Sequence, residues 1–129
     1  VSLSDCTSLS SPIYEGKKFR LKRTHYQPSF YMAVHPRGEF ISDIIMNNGG
    51  WDMIGAKMMM KLLERSRGQV ILNAGANIGS HALHFAAADF ITYAFEPEPT
   101  NFDLLNCSAH LNNFIPPGFT LINEALGND

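Results

Sequence analysis

The spacing of apolar residues changes character several times along the chain. From Lys18 to about Val34 it is strand-like, with aromatics at Phe19, Phe30 and Tyr31. His35 to Glu39 reads as a turn, Pro36 fixing φ and Gly38 free to take a positive value. Ser42 is placed to cap a short helix through Met46, which Asn47-Asn48-Gly49-Gly50 would end. Ile54, Met58, Met59, Leu62 and Leu63 then recur at helical spacing, and Gly68 stops that helix after Glu64, Arg65 and Arg67. The methionines crowded there read as core filling rather than metal ligation, because Met adapts to irregular gaps and the stripe keeps a helix period.

After Arg67 the pattern alternates. "QVILN" (69–73) reads as a buried strand and "SHALHFAAA" (80–88) as a helix with Ala82, Leu83, Ala86 and Ala87 on its packed side. "ITYAFE" is a second strand. "TNFDLLNCSAHLNN" is a second helix, which Thr100 can cap with Asp103 three residues later in a capping-box pattern. Pro116-Pro117-Gly118 breaks the chain before a third strand, "FTLIN". Strand, helix, strand, helix, strand is the signature of an α/β fold with a parallel sheet. Three regions result: a serine-rich tail over 1–16, a β-rich lead-in over 17–52, and a partial Rossmann-like domain over 53–129.

Composition narrows the functions. At 129 residues and 45% hydrophobic, the chain can bury a core. A formal net charge of −2 gives no electrostatic case for nucleic acid or an anionic membrane. The basic run Lys17, Lys18, Arg20, Lys22 and Arg23 is interleaved by Phe19 and Leu21, as on a strand with a solvated face. Two cysteines, Cys6 and Cys107, make neither a disulfide framework nor a zinc site, and read as free thiols in a reducing, cytoplasmic compartment. His81 and His84 share a helix face, but spacing supplies no third metal ligand.

The chemistry concentrates in "ILNAGANIGSHAL" (71–83). Ligands of parallel sheets bind beyond the carboxyl ends of the strands, where this loop lies. Gly75 permits a tight turn, Gly79 close helix packing, and Asn77 tolerates positive φ. The loop's N–H groups and the following helix N-terminus are expected to face a polar or anionic ligand. Glu96 ends the second strand, 21 residues beyond Gly75. An acid there can accept hydrogen bonds from both ribose hydroxyls. With two glycines rather than three, the loop suits a nucleoside without pyrophosphate, such as S-adenosylmethionine, better than NAD.

"NAGANIGSHAL" followed by "YAFEPEPTNFDLLNCSAHLNN" resembles the FkbM family of S-adenosylmethionine-dependent methyltransferases. "ISDIIMNNGGWD" resembles that family's lead-in, and "LINEALGND" its third strand and following loop. The resemblance covers roughly residues 30–129. It implies a class I methyltransferase fold and O-methylation of a hydroxyl on a sugar or other small molecule. Asn73, Gly75, Ala76, Asn77 and Gly79 would hold the methionine part, Glu96 with Pro97 the ribose, and Glu124 and Ala125 would lie near adenine. Trp51 and Asp52 match a position that could cover the cofactor, pack in the core or cap a helix. No catalytic base is assigned, since a sulfonium already carries a good leaving group and positioning can suffice.

Two departures stand out. The family carries Asp where this chain has Asn73, and losing that charge-assisted bond would cost roughly 1.5–3 kcal/mol of cofactor binding. The family's domain also continues for several strands beyond the third. The strand at 70–73 would then present a bare, apolar edge, and the chain would be the cofactor-binding half of a longer protein, inactive or poorly folded by itself. The alternatives are a non-catalytic binding module descended from a methyltransferase, and an NAD-dependent oxidoreductase fragment.

Overall fold

The computed structural model describes Cys6 and residues 18–127. The expected tail over 1–16 therefore lies outside the described residues, except at Cys6. Strands β1 (Arg20–Arg23) and β2 (Tyr31–Val34) form an antiparallel hairpin. Helices α1 (Phe40–Asn48) and α2 (Met53–Glu64) follow. The alternating part is β3 (Val70–Ala74), α3 (Ala82–Ala87), β4 (Ile91–Phe95), α4 (Pro99–Leu111) and β5 (Phe119–Ile122). Its three strands run parallel in the order β3-β4-β5, with Asn73 opposite Ala94 and Ala94 opposite Leu121. The expected α/β fold with a parallel sheet is present, an arrangement compatible with a Rossmann-like domain.

Helix ends differ in detail from the expectation. Glu39 caps α1, its carboxylate accepting from the Ile41 and Ser42 N–H groups. Ser42 sits buried inside the helix and accepts instead from the His35 N–H at 3.0 Å. Glu98, not Thr100, caps α4 by accepting from the Asn101 N–H at 2.7 Å. Pro99 explains the shift, because its fixed φ and missing N–H suit the first helical position. Gly49 ends α1 at φ 82°, as its sequence position suggested.

Register decides which sheet face is covered. Ile71, Asn73, Thr92, Ala94, Phe119 and Leu121 share one face, where Thr92, Ala94 and Phe119 are buried. The alternate positions form the other face. There Val70, Leu72, Ala74 and Ile91 are exposed, and Tyr93, Phe95, Thr120 and Ile122 half-buried. Parallel sheets ordinarily bury both faces. β3 is an edge strand of the described sheet, as expected, but the strand read as buried is exposed on one face and half-buried on the other. The stripe on α2 diverges likewise: Ile54, Met58 and Leu62 are 77%, 62% and 68% exposed. Met59, Met60 and Leu63 reach inward against Phe85, Ala88 and Phe90, and Met53 and Ala56 pack on the main core. A helical period identifies an apolar face but not what covers it.

The lead-in docks on α4 through polar side chains. Asn112, capping α4, accepts from the Tyr31 N–H at 2.8 Å and donates to the Tyr31 carbonyl at 2.7 Å, much as a neighbouring strand would. Ser108 Oγ accepts from the Ala33 N–H at 2.8 Å. Asn101 Oδ1 lies 2.7 Å from His35 Nε2. In the basic run, Arg20 is not solvated but paired with Asp43 at 2.6 Å.

Cys6 and Cys107 are joined by a disulfide, both buried, so the reading of two free thiols is corrected. The fold brings Cα atoms 101 residues apart in sequence to 4.9 Å, a pairing that spacing alone does not reveal. Disulfides persist in oxidising compartments, so the reducing-compartment argument loses its basis. No helix among the described residues is long and apolar enough to cross a membrane.

Two outcomes are expected. Reduction, or Cys107→Ser, should lower unfolding free energy by about 2–5 kcal/mol in urea titrations, because the link closes a long loop; an unchanged midpoint would mean that the bond is not made. The second concerns His84, which is buried against Tyr26 and Phe30. Burial holds its pKa below the ordinary 6.5. The unfolded chain then takes up the proton first, so this contribution is whole above pH 6.5 and is lost as pH falls below it. His84→Gln should flatten that part of the stability–pH curve; an unaltered slope would contradict the assignment.

Candidate functional site

The loop after β3 keeps the geometry its glycines suggested. Gly75, Asn77 and Gly79 all take positive φ, at 70°, 58° and 100°. A Cβ at Gly75 would meet open space, whereas one at Gly79 would overlap Leu105 Cδ1 on α4. Gly75 therefore serves the turn, and Gly79 the close approach of α4.

The loop's donors are arranged differently from the expectation. The Ala76 N–H donates to the Phe95 carbonyl at 2.9 Å, and the Gly79 N–H to the Ala76 carbonyl at 3.0 Å. The Asn77 N–H donates to Glu96 Oε1 at 2.7 Å. These three donors tie the loop to β4 and to itself rather than facing a ligand. The helix-terminus expectation also weakens, because α3 begins only at Ala82 and has six residues.

Glu96 is the centre of this arrangement. It is 5% exposed, and its second oxygen accepts from the Glu98 N–H at 2.8 Å. Each carboxylate oxygen has two lone-pair directions and accepts one N–H here, so one acceptor direction per oxygen is not used by these bonds. Asn123, just past β5, donates to the Glu96 carbonyl at 2.8 Å and to the Pro97 carbonyl at 3.3 Å. The ends of all three parallel strands thus meet around Glu96. The role of Asn123 carries no motif and is not legible in the sequence.

Beside the loop lies a cavity of about 170 Å³. Asn73, Gly75, Ala76 and Asn77 line it, as expected, together with Trp51. Ile41, Ile78, Ser80 and His81 complete the wall, and sequence reasoning does not assign them to the site. Gly79, Glu96, Pro97, Glu124 and Ala125 do not line it; Pro97, Glu124 and Ala125 are exposed at the strand ends. The volume falls below the roughly 300–1,000 Å³ of whole small-molecule sites. A space of that size has room for a fragment of a ligand rather than for a whole one.

Trp51 is held by its backbone. The buried Tyr26 hydroxyl donates to the Trp51 carbonyl at 2.5 Å and accepts from the Trp51 N–H at 2.8 Å. Burial raises the Tyr26 pKa above its usual value, so the phenol stays protonated for this role. The Trp51 ring meets Phe40 edge-on at 5.9 Å. Asp52 takes the capping role, accepting from the Gly55 N–H at 3.2 Å. The two histidines diverge: His81 lines the cavity, while His84 Nε2 bonds the Gln27 carbonyl at 2.8 Å. Among the described residues no cluster of His, Cys, Asp or Glu could hold a metal ion.

Substitution should separate the glycines. Gly79→Ala combines strain with overpacking against Leu105 and should cost roughly 1–3 kcal/mol. Gly75→Ala meets no atom and should cost about 1–2 kcal/mol from its backbone alone. Urea unfolding of both variants checks this; a greater loss at Gly75 would contradict the assigned contacts. Comparison with known proteins adds no assignment: no family model matches the chain, and no curated protein matches it.

Proposed function

We propose that the chain binds S-adenosylmethionine across the Asn73–Gly79 loop and Glu96, as the cofactor-binding half of an FkbM-like methyltransferase acting on a hydroxyl of a small molecule or glycan. The observation that carries this reading is the Glu96 carboxylate. It joins the glycine loop to the end of the second parallel strand and retains acceptor capacity where a ribose would lie. The adjoining cavity has room for the methionine tail. Trp51, Asn73 and His81 would surround that tail and fix its position. Bound there, the cofactor supplies the activated methyl group, and the chain's part is to orient it.

The internal bonds of Ala76, Asn77 and Gly79 count against NAD. A pyrophosphate needs free backbone donors, and these three are engaged. A second reading, a non-catalytic module descended from such an enzyme, is favoured by one observation: neutral Asn73 stands in the cavity where the resembled family carries an acid. The disulfide favours an oxidising compartment over the cytoplasm for either reading.

Trp51 is the sole tryptophan and lines the cavity, so its fluorescence reports occupancy. S-Adenosylhomocysteine should change the emission saturably, and NAD should not. Gly75→Asn should abolish the response without unfolding, because Asn tolerates positive φ and its side chain would enter the cavity. Asn73→Asp should tighten binding about ten- to a hundredfold. A folded chain that binds neither as the natural sequence nor after Asn73→Asp would overturn the proposal.

A further inference from the structure

A second cavity, about 330 Å³, lies between the β1–β2 turn and α2, apart from the glycine loop. Its size falls within the range of small-molecule sites. Tyr26, Met53, Ala56 and Met60 give it apolar walls, and the methionines can adapt to an occupant's shape. His84 adds a polar atom without adding charge. Its Nε2 faces a carbonyl oxygen and must donate, and its burial favours the neutral ring.

Charge enters with Lys57 and Lys61, which also line the cavity and are exposed. They stand one helical turn apart, so both ammonium groups lie on the same face of α2. Like charges at this spacing mildly destabilise a helix. Among the described residues neither lysine makes an ion pair. The acids nearest in sequence are occupied: Asp52 caps α2, and Glu64 pairs with Arg67 at 2.9 Å. His25 and the protonated Tyr26 phenol are the remaining titratable groups lining the cavity, and no carboxylate does so among the described residues. The result is an apolar hollow with a cationic rim on a chain of net negative charge.

We propose that this cavity binds a small amphiphilic anion, an apolar body carrying one carboxylate or phosphate. The apolar end would lie against Tyr26, Met53 and Met60, and the anionic head would meet Lys57 and Lys61. A neutral ligand would leave the lysines unmatched, and a cation would be repelled. The site is independent of the methyltransferase reading, because it shares no lining residue with the cavity at the glycine loop.

The test is a backbone amide shift titration of the whole chain with decanoate below its micellar concentration, beside decanol. Decanoate should move the amides of residues 25–27 and 53–61, and decanol should bind about tenfold more weakly. The double variant Lys57→Gln, Lys61→Gln keeps helix propensity and removes the charge. It should lose about tenfold in decanoate affinity while decanol binding stays unchanged. Equal binding of decanol and decanoate, full decanoate affinity in the double variant, or shifts confined to Val70, Leu72 and Ile91 would each overturn the proposal.

Discussion

Leu105 of α4 rests where Gly79 has no side chain, and the rest of the described structure is organised around that contact. It fixes the distance between the glycine loop and α4. The same helix then carries the groups that hold the lead-in: Asn101 toward His35, Ser108 and Asn112 on the free side of β2, and Cys107 bonded to Cys6. A Cβ at position 79 would overlap Leu105 Cδ1 and crowd Leu83, so the side chains that seat α4 on the loop would have to shift.

The second constraint is electrostatic and local. A buried carboxylate must find donors, and Glu96 finds them in the Asn77 and Glu98 N–H groups. Loop and strand end are thereby locked before any ligand arrives. Such preorganisation lowers the ordering cost of binding, and it also gives Glu96 a structural role that would persist if binding were lost. Variants of Glu96 therefore mix the two roles, whereas Asn at position 75, which tolerates the positive φ there, acts chiefly on binding.

The order of elements in the parallel part was legible because its apolar runs, turns and glycines agree at each step. The turn at Gly75, the positive φ at Asn77 and the close packing at Gly79 were legible on steric grounds. Burial was less so: Ile54, Met58 and Leu62 announce an apolar face, but sequence period is silent about a covering layer. The caps at Glu39 and Glu98 escaped because a longer carboxylate replaces the usual short capping side chain. The loop donors were misassigned because their acceptors, the Phe95 carbonyl and Glu96, are set by strand pairing rather than by the motif. The disulfide was hidden by its long sequence separation, and Asn123 by the absence of any pattern around it.

The most direct test of the central claim, a nucleoside seat built on Glu96, is a map of backbone amide shifts on adding S-adenosylhomocysteine. The account predicts the largest changes at Asn77 and Glu98, whose N–H groups share the Glu96 carboxylate with the ribose, and at residues 73–76 beside the cavity. Saturable shifts that leave Asn77 and Glu98 unmoved, or no shifts in a folded chain, would contradict it.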